Sequence, residues 1–271
     1  MRVDTARTHA LYFRGPMFID THAHLYHKQF DSDREEMLAR AVDAGVKKLF
    51  LPNIDHESIE GMHALCDAHP DLCFPTMGLH PSHVTADFMK DLAEVERLLS
   101  EGRYYAVGEI GIDLYWDKTF LAQQEEAFRL QVRWAKELAL PIIIHCRESF
   151  HEVFSIVEDE NDSTLRGVFH CFTGTPEQAR MVTELGGFKL GIGGVITFQK
   201  SGLAQTMREV GAEHCVLETD APYLAPVPYR GKRNESGYVP LVAQALATAT
   251  ERSLDDIARI TTANAEQLFA K

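Results

Sequence analysis

The chain has 271 residues, 45% of them hydrophobic and 25% charged, and its 18 glycines and 11 prolines are scattered, which excludes a disordered, collagenous or low-complexity protein. A formal charge of −13 argues against a basic surface that grips long nucleic acid regardless of sequence, so any phosphate recognition has to be local. No apolar run approaches the roughly 20 residues of a membrane-spanning helix.

In chain order, residues 1–16 come first, with Arg2, Arg7 and Arg14 but no continuous apolar stretch or small-residue cleavage site. They do not make a secretory signal, a cytoplasmic location is expected, and the stretch reads as a dispensable extension or an over-called start before Met17. From residue 17 onward, short runs rich in Val, Ile, Leu and Phe recur every 20 to 37 residues or so. They cover 17–20, 47–53, 73–78, 105–110, 141–145, 167–171, 188–193 and 215–219. Several are apolar on both faces, as parallel strands covered by helices are. Between the first two, Asp33 precedes Met37, Leu38, Ala41 and Val42 at helical spacing, with Gly45 as the stop. Residues 58–69 and 123–138 read as helices too, and 239–250 and 253–271 add two more after the last run. The expected fold is therefore α/β, a single (β/α)8 TIM-type barrel over 17–271 with additional C-terminal helices. An open doubly wound sheet is the rival, but no glycine-rich phosphate loop follows any strand.

Five cysteines, Cys66, Cys73, Cys146, Cys171 and Cys215, contain no C-x-x-C pair, so free thiols are expected rather than a disulfide framework or a thiolate zinc site.

Barrel chemistry sits at the carboxyl ends of the strands, and those ends carry imidazoles and carboxylates here. The first run ends in Asp20-Thr21-His22-Ala23-His24, whose two histidines at i and i+2 share a strand face. Glu109, His145, His170 and Asp220 close the fourth, fifth, sixth and eighth runs. Taken singly, each has a plain reading: a hydrogen-bonded histidine pair, a helix cap, a salt-bridge partner. Together they would put several carboxylates on one buried face, which is costly without compensating cations. Two divalent ions would neutralise them, and mixed N/O donors suit Mg, Mn or Zn according to geometry. Cys146 and Cys171 each follow a proposed ligand and should turn away from it toward the helices. His80, ending the third run in Gly78-Leu79-His80-Pro81, is a substrate or supporting contact.

These stretches resemble the TatD-type metal-dependent deoxyribonucleases among the amidohydrolase-like barrels. The resemblance rests on Phe18 to His24, Gly78 to Pro81, Val107 to Asp113, Pro141 to Arg147, Phe169 to Gly174 and Leu217 to Leu224, and on Tyr229 to Glu235 after the last strand. It implies a 3′-to-5′ exonuclease of single-stranded or damaged DNA that uses Mg or a similar divalent ion. It further implies one ion on His22, His24 and Asp220 and another on His145 and His170, with Glu109 between them.

The residues fit that chemistry in their own right. Asp220 can both ligate and accept the proton of an attacking water, and Glu218, two residues earlier, can orient a ligand, assist proton transfer or serve structurally. Arg147, Arg230, Lys232 and Arg233 can pair with phosphate oxygens, or simply be solvated surface, and Tyr223 can stack a terminal base. Two other readings stay open. One is an amidohydrolase-type esterase or lactonase, including removal of D-amino acids from tRNA; the other is a non-catalytic nucleic-acid-binding barrel. Expected partners are single-stranded DNA or DNA ends, or alternatively RNA or tRNA, with no membrane and no obligate protein partner.

Overall fold

A computed structural model describes residues 15–115 and 117–270. The expected extension, 1–16, thus lies outside the described residues apart from Gly15 and Pro16. Strands and helices alternate as β1 (Phe18–Asp20), α1 (Arg34–Asp43), β2 (Val46–Pro52), α2 (Ser58–Ala68), β3 (Cys73–Thr76) and α3 (Phe88–Leu99). There follow β4 (Val107–Asp113), α4 (Leu121–Glu137), β5 (Ile142–Arg147), α5 (Phe150–Glu160), β6 (Gly167–Phe169) and α6 (Pro176–Glu184). The chain ends with β7 (Phe188–Ile192), α7 (Leu203–Val210), β8 (Cys215–Leu217), α8 (Val239–Thr250) and α9 (Leu254–Leu268).

All ladders are parallel, running β1-β2-β3 and β4-β5-β6-β7-β8. Hydrogen bonds beyond the ladders join the two sets. Tyr105 N donates to Pro75 O (3.0 Å), Met77 N to Ala106 O (3.2 Å) and Gly108 N to Met77 O (2.9 Å). On the other side, Thr21 N donates to Leu217 O (3.0 Å) and His24 N to Ala221 O (2.7 Å). The eight strands therefore make a TIM-type barrel bonded around its circumference, with helices outside.

The floor of the barrel is apolar. Ile19, Phe50, Ala106, Ile143, Val168 and Val216 point inward near the strand starts, and α9 covers them with Leu268 and Phe269. The Phe269 ring stacks on Phe50 with centroids 3.9 Å apart. Polar chemistry is thereby confined to the opposite, carboxyl end.

Local details depart from expectation where tertiary contacts decide. In α1, Met37, Leu38 and Ala41 are buried but Val42 is 49% exposed. Asp33 precedes α1 without capping it, because its carboxylate is taken by Arg233 and Arg40. Strand β4 runs three residues past its expected end, whereas β6 and β8 stop early and leave His170, Cys171, Glu218 and Asp220 in the following turns.

Candidate metal centre

Glu109 owes its position to an irregularity in β4. The β4–β5 register shifts between Val107 and Ile110, an extra residue of the kind that re-aims side chains. Val107, Ile110 and Ile112 all join the outer core, so Glu109, Gly111 and Asp113 fall on the opposite face. Gly111 has φ +144, and a Cβ there would lie 2.0 Å from His145 O. Only glycine lets β4 and β5 approach this closely behind the site.

The two oxygens of Glu109 face two groups of donors. Oε2 lies 3.2 Å from His22 Nε2 and 3.8 Å from His24 Nε2. Oε1 lies 2.7 Å from His145 Nδ1, 3.3 Å from His80 Nε2 and 3.8 Å from His170 Nε2. Asp220 Oδ1 completes the first group at 3.5 Å from His24 Nε2 and 3.8 Å from His22 Nε2, whose own separation is 3.2 Å. Donors held about 2.0–2.2 Å from one cation stand roughly 3–3.5 Å from each other. The His22, His24 and Glu109 donors form one cluster able to hold an ion, with Asp220 beside its two histidines, and the Oε1 side offers a second in His80, Glu109 and His145.

Acceptors behind the imidazoles aim their lone pairs into the centre. The Pro52 carbonyl and the Tyr26 hydroxyl oxygen sit 3.2 and 3.0 Å from His24 Nδ1, and Tyr26 itself donates to Pro52 O at 2.6 Å. That pattern puts the proton of His24 on Nδ1 and leaves Nε2 free to ligate. Asp113 Oδ2 stands 2.9 Å from His145 Nε2, which turns Nδ1 toward Glu109, and Glu218 Oε1 stands 3.0 Å from His170 Nδ1. Glu218 is fully buried, and it has room only because residue 191 is glycine, where a Cβ would meet its Oε2 at 2.4 Å.

The charges respond to this crowding. Burial opposes ionisation of Glu109, but His80, His22 and His170 outweigh it and hold the carboxyl well below its ordinary range. Burial likewise opposes charging His170, yet Glu218, Glu109 and Asp220 raise it to about 10. Burial pushes His80 down to about 4. Protons on imidazoles thus balance the carboxylates when no cation does so.

Backbone geometry marks the same spot. Asp220 (φ 58), Cys171 (φ 46) and Leu224 (φ 53) occupy the left-handed region, uncommon for residues with side chains and frequent at functional sites. In Asp220 that conformation, rather than strand alternation, directs the carboxylate. It also overturns the expectation for Cys171, which follows the end of β6 and places its thiol among the donors of His170 and Asp220. Cys146, still on β5, packs against the outer core as expected.

The expected substrate residues divide. Tyr223 is 44% exposed beside His24, with ring centroids 6.3 Å apart, and Arg147 lays its guanidinium 3.8 Å above the Tyr115 ring. Arg230 covers Phe198 at 4.4 Å and Lys232 is exposed near Tyr229. His80 lies deeper than the rim, with its Nε2 3.3 Å from Glu109 Oε1 and 3.2 Å from His145 Nδ1. Arg233 grips both oxygens of Asp33 at 2.6 and 2.7 Å, donates to Gln29 O at 2.8 Å and lies over Phe30, so its charge anchors the loop after β8 to the start of α1. Asp113 and Tyr26 had no site role in the sequence-based expectation. Strand alternation from Glu109 would have pointed to Asp113; nothing local marks Tyr26.

Residues 19–270 match the family described as TatD related DNase. The chain belongs to the TatD family. It is similar to an uncharacterized metal-dependent hydrolase, YabD, of Bacillus subtilis, 37% identical over 93% of this chain and 99% of that one. It is also similar to the 3′-5′ ssDNA/RNA exonuclease TatD of Pantoea ananatis, 34% identical over 92% and 98%. Among solved structures, YjjV, a TatD homolog from Escherichia coli K12, superposes with a TM-score of 0.87 at 30% identity over 94% of this chain and 98% of that chain. A TatD-family hydrolase from Entamoeba histolytica shares the fold at a TM-score of 0.82 and 21% identity, over 94% and 99%. This TatD-family protein is a metal-dependent hydrolase whose His, Glu and Asp clusters are able to hold metal ions. Among its described residues no helix is long and apolar enough to cross a membrane.

Proposed function

We propose that this TatD-family hydrolase is a 3′-to-5′ exonuclease that removes nucleotides from single-stranded or damaged DNA ends with two divalent cations, Mg2+ in the first place and Mn2+ or Zn2+ as alternatives. The observation that carries the reading is Glu109, whose two oxygens face separate sets of imidazoles. Relatives named as exonucleases of single-stranded DNA and RNA supply the substrate class, and RNA is included in it on that ground.

His22, His24 and Asp220 would hold one cation, His145 and His170 the other, with Glu109 between. Paired cations, when bound, polarise a phosphodiester and stabilise charge on its attacking and leaving oxygens. The chain's own groups do the rest. Asp220, the most open of the carboxylates at 16% side-chain exposure, would take the proton of an attacking water. Glu218, its Oε1 3.0 Å from His170 Nδ1, places negative charge behind the imidazole and would favour Nε2 facing inward. Arg147, Arg230 and Lys232 supply local positive charge on an acidic chain, and Tyr223 offers an aromatic face for the terminal base.

Single-stranded oligonucleotide labelled at either end, incubated with Mg2+ or Mn2+, tests this reading. Stepwise loss from the 3′ end is expected, stopped by chelator and by Glu109→Ala or Asp220→Asn in proteins with unchanged circular dichroism. Intact oligonucleotide alongside rapid turnover of a lactone or an aminoacyl-tRNA ester would replace it with the esterase or deacylase reading. Undiminished cleavage by both variants would remove the mechanism.

A further inference from the structure

We propose that two buried glutamines of α4, Gln124 and Gln131, are positioning residues that fix the His80–Asp113–His145 side of the centre. The inference rests on the two-cation reading above.

Helix α4 faces the barrel with an apolar stripe of Ala127, Phe128, Val132 and Ala135. Gln124 and Gln131 interrupt it, seven residues and therefore about two helical turns apart, at 4% and 1% exposure. A buried amide costs stability unless its hydrogen bonds are made. Each of these takes both the N–H and the C=O of one residue beyond the helix, and Gln131 also reaches a carbonyl of its own helix. Gln131 Oε1 accepts from Leu79 N at 2.7 Å while its Nε2 donates to Leu79 O at 3.4 Å and Ala127 O at 3.2 Å. Gln124 Oε1 accepts from Asp113 N at 2.8 Å while its Nε2 donates to Asp113 O at 3.3 Å.

A side-chain amide that takes the N–H and the C=O of one residue stands in for a neighbouring strand. It does so where the strands run out. β3 ends at Thr76, and beyond it Asn53 Oδ1 accepts from Gly78 N (2.8 Å) before Gln131 takes Leu79. The next residue is His80, whose Nε2 lies 3.3 Å from Glu109 and 3.2 Å from His145. Asp113 is the last residue of β4, and its carboxylate orients His145. One helix thus sets two loops that converge on one imidazole. The His22, His24 and Asp220 side has no hydrogen bond to α4 among the described residues, so disturbing the clamps should affect the two halves unequally.

The test uses Gln124→Met and Gln131→Met, which keep side-chain length and helix preference but lose the clamp, with Phe128→Leu as a control that loosens the same helix. In cation-free protein the nitrogen resonances of isotopically labelled histidine are expected to move for His80 in Gln131→Met and for His145 in Gln124→Met, with His22 and His24 in place. Phe128→Leu should move none of them. Titration with Mn2+ should show one of two ions bound about tenfold more weakly and the other unchanged. Should the Met variants not fold, Gln124→Glu and Gln131→Glu keep an oxygen for the clamped N–H and should show smaller shifts of the same resonances. Unmoved His80 and His145 resonances in folded variants of both glutamines would overturn the proposal, as would equal shifts in the Phe128 control. If the unaltered protein takes up fewer than two Mn2+, the two-cation reading fails, while the resonances still decide whether α4 positions these imidazoles.

Discussion

Gly111→Ala adds one methyl group and tests how tightly the barrel wall is tied to the centre. The new Cβ would stand 2.0 Å from His145 O, 2.9 Å from His145 C and 3.1 Å from His145 N, all backbone atoms of a paired strand that no rotamer change can move aside. Gly111 also has φ +144, outside the regions an alanine adopts readily. A strained backbone conformation costs about 1–3 kcal/mol and overpacking about as much again, so a destabilisation of roughly 2–6 kcal/mol is expected. For a chain of this size that lowers the melting temperature by roughly 5–15 °C. Relief of the clash has to part β4 from β5, carrying Glu109 away from His145, and a misplacement near 1 Å is enough to cost about a hundredfold in rate. Scanning calorimetry together with turnover per folded molecule checks both halves. A melting temperature within a degree of the unaltered protein, with full turnover, would refute the reasoning that this close approach sets the site.

Two other outcomes follow from the same geometry. Arg233→Ala should lower the melting temperature while leaving KM for oligonucleotide unchanged, because the guanidinium is spent on Asp33, whereas Arg230→Ala should raise KM; the reverse pattern would restore Arg233 as a phosphate contact. His170, raised to about 10, is protonated at pH 8 in the cation-free protein, and a cation can use its Nε2 only by displacing a proton. Mn2+ uptake at pH 8 should therefore release about one proton from this group, and apparent affinity should rise with pH until the imidazole is neutral; calorimetry in buffers of different ionisation enthalpy reads this, and zero release would contradict it.

The barrel and most of the centre are legible in the sequence because they depend on local pattern. Runs of Val, Ile and Leu place the strands, and the barrel rule then points to whatever polar residue ends them. Glu109, His145 and His170 stand out on that rule alone. What stayed hidden depends on backbone irregularity or on partners far along the chain. The register shift before Ile110 lengthens the useful face of β4 to include Asp113, and the left-handed conformation of Cys171 defeats the alternation argument that sent its thiol outward. Arg233 sits in a basic loop that reads as phosphate-binding, yet its partner Asp33 lies 200 residues earlier. Gln124 and Gln131 look like ordinary polar positions on an amphipathic helix, and only the ends of β3 and β4 show why they are buried.

Anomalous scattering from a crystal equilibrated with Mn2+ tests the central claim most directly. Two peaks are predicted a few ångströms apart, one among His22, His24 and Asp220, the other toward His145 and His170, each touching a different oxygen of Glu109. A single peak remote from Glu109, or none at all beside intact side chains, would contradict it.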